Sequence, residues 1–104
     1  GLQIHVARKL DKSNRPLLLF NGIGANLEIL IPLMQELDGV ECITFDMPGI
    51  GLSEAPRFPM RFKALAKMSA QILDHFGYGQ VDTLGVSWGG AIAQEFSYRF
   101  PKRC

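Results

Sequence analysis

The chain has 104 residues, 47% hydrophobic and 20% charged, which suits one globular domain with a single core. A net charge of +1, with no basic stripe interleaved with aromatics, leaves no argument for nucleic-acid binding. The longest apolar stretch, around Leu27 to Met34, is broken by Glu28 and Pro32 and is far too short to span a bilayer.

Leu2, Ile4 and Val6 alternate with polar positions, the pattern of a half-buried strand. His5 falls on the polar side of that alternation, which predicts an exposed strand residue and not a catalytic base. After a polar turn closed by Pro16, Leu17-Leu18-Leu19-Phe20 is a continuous apolar run and predicts a strand buried on both faces. It runs into the glycine-rich loop Asn21 to Asn26. Leu27, Leu30, Ile31, Met34 and Leu37 then recur at helical spacing, with Gly39 as the stop. Pro32 forces a choice between a helix that starts late, near Leu30, and one that carries a proline in its first turn.

Glu41 to Phe45 reads as the next buried strand. Asp46 stands at its end, followed by the second glycine-rich loop, Met47 to Ser53. From Phe62 a second amphipathic helix places Leu65, Met68, Ile72, Leu73 and Phe76 on one face, and Gly77 ends it. His75 is read as a surface or partly packed residue of that helix. Arg57, Arg61, Lys63 and Lys67 are read as a solvated face. A last strand, Val81 to Val86, and a last helix, ended by Pro101, complete the order β, β, α, β, α, β, α. That alternation predicts an α/β fold, a mostly parallel sheet covered by helices on both faces, with about four strands and three helices.

The last strand and helix enclose the most informative motif. Gly85-Val86-Ser87-Trp88-Gly89 fits the G-x-S-x-G nucleophile elbow, in which a serine sits on a sharp strand-to-helix turn with its hydroxyl above the sheet. Side chains at the two glycines would clash where strand and helix backbones approach. Three loops, at Asn21–Asn26, Asp46–Ser53 and Ser87, follow the carboxyl ends of successive strands, the edge where open α/β sheets bind ligands. A serine nucleophile needs a base, and its tetrahedral intermediate needs aimed N–H donors. The backbone N–H of Trp88 supplies one donor. The second is assigned to Ile23, whose flanking glycines let its amide turn toward the site, although Gly22 and Gly24 also suit a plain strand-to-helix turn. Asn21 and Gly22, at the head of that loop, are assigned to substrate contact.

Over essentially its whole length the chain resembles the N-terminal half of an α/β-hydrolase; Asp46-Met47-Pro48-Gly49-Ile50-Gly51-Leu52-Ser53 is similar to the turn common after that family's fourth strand. The family's usual His-Gly at the oxyanion loop is Asn21-Gly22 here, which keeps the backbone donor but removes a familiar side chain. Pro16 to Glu28, Tyr78-Gly79-Gln80-Val81 and Gly85 to Ala91 are similar to the corresponding segments of the intracellular medium-chain polyhydroxyalkanoate depolymerases. The resemblance implies a serine esterase acting on an aliphatic polyester of cytoplasmic storage granules and releasing 3-hydroxy fatty acids or short oligomers, with no metal and no cofactor.

In this fold the acid and then the histidine of the triad follow the serine in chain order. The residues after Ser87 contain no aspartate and no histidine, and Glu95 lies two turns along the helix, pointing away from the elbow. The expectation is therefore an N-terminal part, residues 1–104, of a single α/β-hydrolase domain. Such a part is expected to be inactive alone and to self-associate through the exposed edge strand Val81–Val86. Cys42 and Cys104 show neither metal-site nor disulfide-framework spacing, and no secretory signal opens the chain, so a cytoplasmic setting is expected. The alternatives left open are a carboxylesterase, a carbon–carbon bond hydrolase, a cofactor-free haloperoxidase, or, for a complete chain, a non-catalytic module. A serine at the elbow counts against haloalkane dehalogenases and related epoxide hydrolases, which use aspartate there.

Overall fold

The computed structural model describes residues 3–11, 15–21, 27–46, 53, 61–86 and 88–104. Among the described residues four strands form one mixed sheet: β1 (Val6–Lys9), β2 (Leu17–Phe20), β3 (Cys42–Phe45) and β4 (Asp82–Gly85), in the spatial order β1-β3-β2-β4. β2, β3 and β4 are parallel, with Leu17 beside both Cys42 and Asp82, while β1 runs antiparallel to β3 with Val6 opposite Phe45. The sheet is thus mostly parallel, as expected, with one reversed strand at an edge. That reversal brings the start of β1 to the carboxyl edge of the others.

Side-chain alternation sorts the central strands onto two cores. Leu18, Phe20, Ile43 and Phe45 face the larger one, closed by α2 (Phe62–His75) and α3 (Trp88–Arg99). Leu19 and Cys42 face the smaller one, closed by Leu30 and Met34 around α1 (Ile31–Glu36). Helices therefore cover both faces. Phe20 anchors the larger core, its ring 6.2 Å from that of Phe45 and 6.1 Å from that of Phe96. Truncating such a buried ring costs about 3–5 kcal/mol.

Local chemistry sets the element ends. The chain resolves the Pro32 choice both ways: a 3-10 turn over Leu27–Ile29 delays the regular helix, and Pro32 then sits in its first turn, where a missing N–H removes no helical bond. Gly39 and Gly77 follow α1 and α2 at φ 77° and 74°, the left-handed conformation that closes a helix with least strain in glycine. On α2 the buried face includes Leu65, Ser69, Ile72 and Leu73; the Ser69 hydroxyl donates to the Leu65 carbonyl at 2.8 Å, so its burial leaves no unpaired polar group.

A 3-10 turn at Pro101–Arg103 returns the end of the chain to the α2–β4 connection. The Arg103 guanidinium donates to the carbonyls of Gly79 (2.7 Å) and Tyr78 (2.8 Å) and pairs with Asp74 at 3.0 Å, while the Val81 amide donates to the Arg103 carbonyl at 2.6 Å. This clamp holds the entry to β4, the strand that carries the serine motif. Among the described residues, no helix is long and apolar enough to cross a membrane.

Candidate active site

β4 ends against β2, where the Val86 amide donates to the Phe20 carbonyl at 3.0 Å. The Gly89 amide then donates back to the Val86 carbonyl at 2.9 Å, so the chain reverses between β4 and α3 within four residues. Ser87 lies outside the described residues; both of its neighbours are described, and they bracket this reversal. The join is too close for side chains at two positions. A Cβ on Gly89 would stand 2.5 Å from the Asn21 carbonyl oxygen, and one on Gly85 would stand 2.5 Å from the Gly90 nitrogen, each inside any real contact distance. Both glycines of the motif are thus required by backbone packing, as the sequence predicts.

The same packing sets what surrounds the turn. Asn21, 3% exposed, follows β2 directly beneath the first turn of α3. Gly22 and Ile23, the other residues assigned to that loop's role, lie outside the described residues. Of the amides around the reversal, those of Val86 and Gly89 are taken by backbone carbonyls; that of Trp88 has no acceptor among the described residues. The Trp88 indole is half-buried, packed on the larger core with its ring 5.6 Å from that of Phe62.

A scan against protein-family models matches residues 15–104 to the α/β-hydrolase fold family. The chain belongs to the α/β-hydrolase family. Over 90 residues this chain is 57% identical to a poly(3-hydroxyalkanoate) depolymerase of Ectopseudomonas oleovorans, an alignment covering 86% of the chain and 32% of that protein. Among solved structures it superposes on an enol-lactonase from Burkholderia xenovorans with a TM-score of 0.91 at 24% identity, covering 99% of this chain and 41% of the other. A thermophilic esterase from Thermogutta terrifontis matches with a TM-score of 0.85 at 26% identity, covering 96% and 38%. The chain thus spans about a third of the length of the curated relative it matches.

The two histidines of the chain occupy places that bear on which group could act as a base. His5 is not the exposed strand residue that alternation predicts. Because β1 is antiparallel, His5 arrives at the carboxyl edge, where its Nδ1 lies 3.0 Å from Oδ2 of Asp46, a carboxylate only 2% exposed. The His5 amide donates to Ser53 Oγ (2.9 Å), the Ser53 hydroxyl donates to the Asp46 carbonyl (2.6 Å), and the Asp46 amide donates to the His5 carbonyl (2.9 Å). This closed ring joins both ends of the 46–53 loop to β1; residues 47–52 lie outside the described residues. The strand order nevertheless puts β1 three strands from β4, roughly 14 Å at the usual strand spacing. His5 is an imidazole oriented by a carboxylate, too far from the serine motif to take its proton.

His75 is exposed at the last turn of α2, at the opposite end of the helix from Phe62, with its ring edge-on to Phe76 at 4.9 Å. Glu95 is engaged by Arg99 at 2.6 Å, one turn along α3. Sequence reasoning missed the His5–Asp46–Ser53 ring because alternation gives the face of a strand but not its direction. The signal that could have found it is a polar pair, Asp46 and Ser53, flanking a glycine-rich loop at a strand end. Among the described residues, no group of three or more His, Cys, Asp or Glu side chains could hold a metal ion. Cys42 and Cys104 are free thiols.

Proposed function

We propose that this chain is the nucleophile-bearing part of a serine ester hydrolase that cleaves poly(3-hydroxyalkanoate). The observation that carries the reading is the sterically enforced join between β4 and α3, with Asn21 packed beneath it and the Trp88 amide uncommitted among the described residues. Ser87 Oγ attacks the ester carbonyl carbon and its proton passes to a base. The carbonyl oxygen becomes an oxyanion held by the amides of Trp88 and Ile23, and collapse expels the polymer alkoxide, which takes up the proton and leaves an acyl-enzyme. Water then adds to the acyl carbon by the reverse proton route, releasing the acid and restoring Ser87. Asn21 and Gly22 contact the bound acyl group. The reaction needs no cofactor.

Support for the polyester comes from the 57% identity to the depolymerase, which includes the serine segment. The setting we infer for such a reaction is cytoplasmic, at the surface of polyester storage granules. Neither His5 nor His75 reaches the elbow, and these are the two histidines of the chain, so the base belongs to a part of the enzyme outside these 104 residues, together with the acid and the cap. Leu84 on β4 and Val86 just after it, 40% and 44% exposed, form an apolar edge through which the isolated chain self-associates; a Leu84→Lys variant that sediments with the same mass distribution as wild type would contradict this. The functional test is turnover of medium-chain polyester and of soluble esters by the whole protein, with Ser87→Ala as control. Polyester hydrolysis lost in Ser87→Ala supports the depolymerase; Ser87-dependent cleavage of soluble esters alone assigns a carboxylesterase instead.

A further inference from the structure

The first turn of α3 is Trp88-Gly89-Gly90-Ala91. Two glycines in a first turn make a weak helix start and offer no side chain to hold its direction. The one large side chain there is the Trp88 indole. It packs on the larger core and meets the ring of Phe62 edge to face, 5.6 Å between centroids at 61°. Phe62 is the first residue of α2, which runs antiparallel to the strands and so begins at their carboxyl edge. The aromatic pair therefore ties the starts of the two helices together beside the serine motif.

We propose that Phe62 is a positioning residue for the oxyanion donor: by fixing the indole it fixes the first turn of α3, and with it the direction of the Trp88 amide. This rests on the reading of Ser87 as nucleophile. Electrostatic stabilisation of an oxyanion depends on donors aimed before charge develops, so a strut matters to the transition state and little to substrate binding. Phe76 is the natural control. It is a half-buried ring that caps the far end of the same helix and packs on the same core, with the Arg8 guanidinium 4.2 Å from its centroid.

The test is steady-state kinetics of the whole protein on a soluble p-nitrophenyl alkanoate. Phe62→Ala is expected to lower kcat roughly tenfold, short of the ~100- to 1,000-fold seen when an oxyanion donor is lost, with KM within about twofold. Phe62→Tyr, which keeps the ring, restores kcat, and Phe76→Ala lowers the melting temperature without lowering kcat. If Phe62→Ala does not fold, Phe62→Leu keeps the core covered and shows the same kcat-selective loss in smaller degree. Wild-type kcat in Phe62→Leu and Phe62→Ala, or an equal fall in Phe76→Ala, overturns the strut while an inactive Ser87→Ala leaves the nucleophile standing. Full activity in Ser87→Ala overturns both.

Discussion

A Cβ atom on Gly89 would stand 2.5 Å from the carbonyl oxygen of Asn21, so the first turn of α3 rests directly on the end of β2. Gly90, one residue on, is different: a Cβ there would meet the Gly85 oxygen at 3.7 Å, an ordinary contact, and among the described residues nothing closer. Two adjacent glycines therefore differ in what they tolerate. Gly89→Ala should destabilise the fold by about 3 kcal/mol, since backbone on both sides must move. Gly90→Ala should be neutral or stabilising by up to about 1 kcal/mol through higher helix propensity. Urea titrations of the two variants check this, and equal costs would contradict it.

The ring formed by His5, Asp46 and Ser53 gives a second expectation. His5→Ala removes a hydrogen bond to a buried carboxylate, and with the imidazole about one-third exposed the loss should be about 1–2 kcal/mol. Turnover should remain within about twofold of wild type, because three strand spacings separate His5 from the serine motif. A thousandfold loss of kcat in a folded His5→Ala protein would instead make His5 the base.

Which of these features could be read beforehand follows from what each depends on. Leu17 to Phe20 were legible as a strand buried on both faces because burial alone dictates a continuous apolar run. Gly39 and Gly77 were legible as helix stops because only the left-handed backbone closes those helices without strain. The direction of β1 was not, since side-chain alternation is identical in either direction, and the error over His5 follows from that. The motif spacing singles out Gly89 over Gly90, but it does not say which backbone Gly89 meets. Their difference lies in the approach of β2, which comes from far away in the chain.

Alkaline pH should weaken the fold. Burial pushes the Cys42 thiol above its usual 9.0 against the opposing pull of Lys9, and burial, then the hydrogen bond to Glu41, pushes the Tyr78 hydroxyl above its usual 10.0. Both groups hold their protons more tightly when folded, so their contribution is intact below pH 9 and is lost as pH rises through the raised folded values. Denaturant midpoints measured from neutrality to pH 11 should fall above 9, and Tyr78→Phe should flatten the part of the decline above 10. A midpoint that rises through this range would contradict the assignment.

The central claim is that Ser87 is the nucleophile, and covalent trapping tests it most directly. The whole protein, treated with an alkyl phosphonate ester and digested, should carry one phosphonyl group on the peptide containing Ser87, with loss of esterase activity in step with labelling. Ser87→Ala should take up none. Labelling at a different residue, or undiminished hydrolysis by Ser87→Ala, would contradict the account.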